Sequence, residues 1–283
     1  MKLYSIEAGH FKLDGGAMFG VVPKSIWNKL NPADNNNMCS WSMRCLLIED
    51  GDRLILVDNG MGNKQEERFF GHYYLHGDHD LNSSLASHGF SKDDITDVFL
   101  THLHFDHCGG SIERSGDKLV PAFKNAVYWS NKQHWEWAVN PNDREKASFL
   151  KENILPIQDS GQLKFIEETS GIGSGMPWIN NVEILLMQGH TASMMLPKIR
   201  YKEHTIIFMA DLLPSMAHIP VPYIMAYDTR PLQTLTEKKA FLKEAADNKY
   251  TLFFEHDPNV ECCTLQLTEK GIRANDQFKL EEI

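Results

Sequence analysis

Apolar and polar positions alternate along this chain on two distinct periods. "MRCLLIEDGDRLILVDNG" (43–60) is two apolar runs on either side of Asp50-Gly51, which predicts a β-hairpin. "ITDVFLTH" (95–102) and "NAVYWS" (125–130) read as strands rich in β-formers. "VEILLMQGH" (182–190), "TIIFMADLLP" (205–214) and "YTLFFEHDP" (250–258) share one design, an apolar run that ends in His or Asp. "NKQHWEWAV" (131–139) and "DREKASFLKENIL" (143–155) read as helices. "TEKKAFLKEAADN" (236–248) is amphipathic at helical spacing, with Thr236 as its N-cap. A short helix is expected over 81–87, with Asp80 as N-cap and Gly89 just past its end. Hairpins come first, then strands alternate with helices, then the order repeats. One sheet does not easily bury about ten strands. Two sheets packed face to face with helices outside would do so, which predicts an α/β sandwich. "PADNNNMCS" (32–40) reads as an exposed loop, and with no linker in view residues 1–283 are expected to form a single domain.

Composition narrows the class of protein. A chain of 283 residues at 42% hydrophobic content can bury a substantial core. No run approaches the ~20 apolar residues of a membrane span. The N-terminal "MKLYSIEAGHFKLDGG" is interrupted by charges and lacks an apolar h-region, so a cytoplasmic protein is expected. Cys39, Cys45, Cys108, Cys262 and Cys263 show neither a disulfide framework nor a CxxC pair and read as buried apolar residues. The net charge of -10 and the absence of a basic run argue against nucleic acid and fit a small-molecule substrate.

The chemistry concentrates in "THLHFDHCGG" (101–110), directly behind an apolar strand. In extended backbone, residues two apart face the same way, so His102 and His104 share a side. Asp106 and His107 follow where the chain turns, and Gly109-Gly110 then frees the backbone. Imidazole and carboxylate suit zinc, and also iron, cobalt, nickel or manganese. Three later strands end in His190, Asp211 and His256. Five histidines and two aspartates are too many for one tetrahedral ion with an open position. They suit two divalent ions that share a bridging carboxylate and a bridging water, an arrangement that generates hydroxide near neutral pH.

HxHxDH, a later GH, a strand-end Asp and a final His together resemble the metallo-β-lactamase superfamily. The similarity begins at Asp58 in "ILVDNGMG" and ends at His256. The resemblance implies a four-layer αβ/βα sandwich with its metals at one edge. It also implies that His102, His104 and His190 hold one ion, that Asp106, His107 and His256 hold the other, and that Asp211 bridges both. Asp58 would be a structural residue beside the site. Within the superfamily, "LDGGAMFGVVPKSIW" (13–27) and "YIMAYDTRPLQTL" (223–235) are similar to the quorum-quenching N-acyl-homoserine lactonases and to methyl-parathion-hydrolase-type relatives. That similarity implies a dinuclear, most readily dizinc, hydrolase whose bridging hydroxide attacks a lactone or ester, with Asp106 and Asp211 orienting it and relaying its proton. The alternative is a phosphotriester or aryl-ester hydrolase. Thioester hydrolysis and iron-dependent oxidation rank lower, because His104 stands where the diiron flavoprotein branch has Glu. A homodimer would fit the resemblance.

One departure stands out. Those lactonases carry a Tyr three residues after the bridging Asp, and this chain has Pro214. Tyr223, Tyr227 and His218 are the candidates to reach the same space. Met18, Phe19 and Trp27 are candidates for a substrate pocket, as are Trp135 and Trp137 beside His134 in "HWEWAV". "GHYYLHGDHD" (71–80) offers His72, His76 and His79, but Gly71 and Gly77 break any helix there, and a lid-like loop is expected.

Overall fold

The computed structural model describes residues 1–167 and 175–283. They fall into two compact units, residues 1–9 with 43–167 and residues 10–42 with 175–283. Two long strands, Lys2–Asp14 and Met38–Asp50, contribute residues to both.

The main sheet of the first unit has, among the described residues, six strands in the order Lys2–Asp14, Met38–Asp50, Arg53–Val57, Asp97–Phe99, Val127–Asn131, Leu163–Ile166. The expected hairpin is present: Leu46 pairs with Val57 and Asp50 with Arg53 across the Asp50-Gly51 turn. From Arg53–Val57 onward the strands are parallel. Parallel strands are covered on both faces, so they read as near-continuous apolar runs. Val98, Phe99 and Leu100 are accordingly fully buried, the first and last in a core with Leu56, Phe123, Tyr128 and Ile157. Ligands bind beyond the carboxyl ends of such strands. Asp58 follows Val57 there, and Thr101-His102 follows Leu100.

The sheet of the second unit has seven strands in the order Gly271–Phe278, Cys262–Thr268, Thr251–Phe253, His204–Phe208, Met194–Tyr201, Val182–Met187, Met176–Ile179. Its parallel pair is His204–Phe208 with Thr251–Phe253. Asp211 lies three residues beyond the first of these strands and His256 three residues beyond the second. The helix Pro231–Asp247 packs on the strands Cys262–Thr268 and Gly271–Phe278 and buries Phe241, Leu242 and Ala245.

Local differences from the sequence reading have physical causes. The last long helix starts at Pro231, not Thr236, because a proline at the first turn loses no intrahelical bond. Thr236 sits within it and its hydroxyl donates to the Leu232 carbonyl. The helix expected over 143–155 forms only as Lys151–Asp159. Ahead of it the Asn142 side chain accepts the N–H groups of Arg144 and Glu145 and closes a turn instead. The helix Leu81–Ser87 is capped by Asp80 in a capping box, as its sequence predicts. No helix among the described residues is long and apolar enough to cross a membrane.

Candidate metal centre

In the first unit four candidate ligands converge at the end of the buried strand. His102 and His107 are fully buried, with ring centroids 3.9 Å apart. His102 Nε2 lies 3.1 Å from His104 Nδ1, and His107 Nε2 lies 3.9 Å from Asp106 Oδ2. Two nitrogens bound to one tetrahedral zinc lie roughly 3.3 Å apart. The spacing of His102 and His104 therefore suits a shared cation.

The opposite ring nitrogens face outer partners. Asp58 accepts the backbone N–H of Thr101 at 2.8 Å and its hydroxyl at 2.6 Å, and Thr101 Oγ1 is 3.1 Å from His102 Nδ1. The second Asp58 contact is His107 Nδ1, at 3.1 Å. His104 Nε2 faces Glu145 Oε1 at 3.5 Å. The indole of Trp137 and the amide of Asn142 each donate to Glu145 Oε2 at 2.7 Å. Such contacts set the tautomer and direct the free nitrogen at the metal. Asp58 holds a positive φ of 56°, a strained conformation for a non-glycine residue.

The backbone of the motif is braced by residues outside it. His134 Nε2 accepts the Leu103 N–H at 2.9 Å, so this histidine supports the motif rather than facing a pocket. A Cβ on Gly109 would stand 2.1 Å from the Met61 carbonyl oxygen, and one on Gly110 2.2 Å from that of Asn59. The glycines thus permit close backbone approach as well as a turn. The Cys108 thiol donates to the Leu103 carbonyl, burial pushes its pKa up to about 12, and among the described residues it belongs to no group of candidate ligands.

In the second unit Asp211 lies between two imidazoles. Its Oδ2 is 3.0 Å from His190 Nε2 and its Oδ1 is 3.3 Å from His256 Nε2. A carboxylate that offers one oxygen to each of two neighbouring ligands has the form of a bridge. The outer nitrogens are again engaged: His190 Nδ1 with Asp228 at 2.9 Å and His256 Nδ1 with the Ser42 carbonyl at 2.7 Å. Burial alone would lower the pKa of His190, but Asp211 and Asp228 outweigh it and raise it to about 10. This pocket favours a positive charge at His190 Nε2. Glu237 accepts the N–H groups of Gln188 and Gly189 and fixes the turn that presents His190. Gly189 has no room for a side chain there, since a Cβ would lie 2.3 Å from Thr234 N.

The pocket candidates separate. Met18, Phe19, Trp27 and His218 are buried in the second unit. Phe19 stacks on Trp27 at 5.4 Å and on His218 at 4.6 Å. Both His218 nitrogens are engaged, with Ser215 Oγ at 2.8 Å and the Met18 carbonyl at 2.9 Å. This quartet is core that anchors the segment 14–27. Tyr223 meets Phe19 edge-on at 6.4 Å, and Tyr227 is 38% exposed. Trp135 is core. His72, His76 and His79 are exposed, and among the described residues they belong to no group that could hold a metal. Sequence reading missed Glu145, Asp228 and Glu237. Glu145 lies in a turn, Asp228 in a loop and Glu237 in a helix, where an acidic residue looks like ordinary solvated charge.

The family model of the metallo-β-lactamase superfamily matches residues 44–256. The chain belongs to that superfamily. Its fold is shared across solved members. A probable metal-dependent hydrolase from Staphylococcus aureus superposes with a TM-score of 0.87 at 25% identity, covering 100% of this chain and 98% of that one. A dizinc quorum-quenching lactonase, AidC, in complex with its product, superposes with a TM-score of 0.78 at 22% identity, covering 98% of this chain and 95% of that one. Among curated superfamily members, an N-acyl homoserine lactonase of Bacillus thuringiensis is 28% identical over 200 residues, 67% of this chain. The matched stretch spans 66% of that relative's length.

Proposed function

We propose that this protein is a metal-dependent hydrolase that opens a lactone or ester bond, with N-acyl-homoserine lactones as the first substrate class. The observation that carries the reading is Asp211, placed with one oxygen toward His190 and the other toward His256. The curated lactonases at 28% identity support the substrate class.

On this reading His102, His104 and His190 would hold one divalent ion, Asp106, His107 and His256 would hold a second, and Asp211 would serve both. Zinc is the first choice for such nitrogen and oxygen donors. Two ions in this set supply Lewis acidity and a nucleophile near neutral pH. The chain's own residues do the rest. Asp58, Glu145, Asp228 and the Ser42 carbonyl keep the five imidazoles oriented. The ligand carboxylates Asp106 and Asp211 take up the proton of the attacking water and deliver it to the leaving oxygen. No serine or cysteine nucleophile is needed, and the Cys108 thiol stays protonated.

A second reading, phosphotriester or aryl-ester hydrolysis, is favoured by Pro214. Where lactonases carry Tyr, Pro214 offers no hydroxyl; its carbonyl accepts the His256 N–H at 3.1 Å. Metal content and initial rates on one preparation test both. The panel is short- and long-chain acyl-homoserine lactones, γ- and δ-lactones, aryl esters and a paraoxon-type triester. About two metals per chain are expected, with acyl-homoserine lactones turned over fastest. Turnover confined to triesters or aryl esters selects the second reading. His104→Ala and Asp211→Ala should each lose metal and hydrolysis together, and full activity in either sinks the dinuclear assignment.

A further inference from the structure

The second unit contains a cavity of about 560 Å³ that includes none of the seven candidate ligands. This volume lies within the ~300–1,000 Å³ typical of small-molecule sites. Its walls are mostly apolar, with Leu30, Met216, Ile219 and Val260 among them. The wall formed by Pro220 and Tyr223 is held in place from behind. Buried Lys238 donates to the Pro220 carbonyl at 3.0 Å and to that of Tyr223 at 2.7 Å.

Two polar groups in this lining have donors to spare. Asn31 is 6% exposed, yet among the described residues its side-chain amide has no hydrogen-bond partner. The Arg273 guanidinium donates to the Ile272 carbonyl at 2.7 Å, and among the described residues no carboxylate pairs with it. A guanidinium and an amide at an otherwise apolar cavity match an anionic head on an apolar body. Asp257 also lines the cavity and accepts the N–H groups of Met216, Asn259 and Val260. Its negative charge disfavours a dianion such as a phosphate monoester and leaves a monoanion as the better fit.

We propose that this cavity is a binding site for a medium-chain carboxylate, its head on Arg273 and Asn31 and its chain against Leu30, Ile219 and Val260. The site is independent of the hydrolase reading.

Calorimetric titration of the purified protein with sodium octanoate tests it, with 1-octanol as the uncharged probe. Octanoate is expected to bind at one site per chain. Arg273→Met should weaken octanoate roughly tenfold, the size of one charge-assisted hydrogen bond, and leave 1-octanol unchanged. Asn31→Ala should weaken octanoate less. Ala274→Phe, which fills the cavity, should abolish both. Arg273→Met reads the same interaction without altering cavity volume, should the filled variant fail to fold. No saturable octanoate binding up to about 10 mM overturns the site. So does binding that Arg273→Met leaves unchanged, which places the carboxylate elsewhere, the metal ligands included. A change of oligomeric state in Ala274→Phe without loss of octanoate binding assigns the cavity to a second copy of the chain and also overturns the proposal.

Discussion

Glu145 is the carboxylate that faces the outer nitrogen of His104, a candidate metal ligand. Its Oε1 faces His104 Nε2 at 3.5 Å, and its other oxygen is fixed by Trp137 and Asn142. Glu145→Gln keeps the shape and removes the charge. It is expected to weaken metal affinity about 10–100-fold, the usual cost of an outer partner, read by competition with a chromogenic chelator. Tyr73 packs on Phe105 at 4.7 Å, directly before Asp106. Burial first, and then the Asp106 charge, push its pKa up to about 12, so it remains a hydroxyl donor. If Tyr73 supplies the hydroxyl that Pro214 lacks, Tyr73→Phe lowers kcat on lactones at unchanged metal content. Equal kcat in the variant excludes that role. His218 is buried with both ring nitrogens engaged. Burial lowers its pKa to about 3 from the ordinary histidine value of 6.5. The unfolded chain therefore binds the extra proton between those values, and stability falls as pH drops through 6.5 toward 3. Between pH 7 and pH 5 this one group removes about 2 kcal/mol. Urea melts at both pH values should show a shallower loss in His218→Gln.

The elements that carry the ligands were legible because a buried strand leaves a strong signature. "VFL", "EILLM", "TIIF" and "TLF" are apolar in sequence and buried in the sheets, and each is followed within a few residues by His or Asp. The helices were less legible. Turn chemistry at Asn142 shortened one and Pro231 lengthened another. Helix ends depend on local hydrogen bonds that apolar periodicity does not report. The supports are also element-level. Gly189→Ala forces a methyl group onto Thr234 and is expected to cost at least about 1–3 kcal/mol, with partial loss of metal. A thermal melt paired with metal analysis checks it. Phe19→Ala, which removes the centre of the Trp27–His218 stack, should cost about 3–5 kcal/mol at little change in metal content. A loss of metal equal to that of Asp211→Ala would return Phe19 to the site.

At the scale of the molecule, metal binding and protonation are linked. The raised pKa of His190 favours the imidazolium, protonated at both Nε2 and Nδ1, in the metal-free protein near neutral pH. Metal uptake between pH 7 and pH 8 should release one of these protons, visible as acidification in weak buffer. His190 also makes the metal-free fold pH-sensitive. Its raised pKa adds stability that is full below 6.5 and is lost as pH rises toward about 10. A metal that binds only the folded chain removes this sensitivity and raises the melting temperature. A stripped protein that melts as the loaded one does would contradict a structural share for the ions.

The order of residues by itself determined the family, the types of the candidate ligands and the strands that end in them. Those properties are local: an apolar run specifies a buried strand, and HxHxDH specifies donors within one turn of chain. Tertiary structure alone decided which nitrogen of each imidazole is held from outside, because Glu145 lies 41 positions beyond His104 and Asp228 lies 38 beyond His190. It also buried the N-terminal aromatic residues Phe19 and Trp27, and it put Arg273 and Asn31 into the lining of one cavity. The physical reason is the same in each case. Partners far apart in sequence meet only through the packing of sheets and helices, and a single residue's type carries no record of what that packing brings to it.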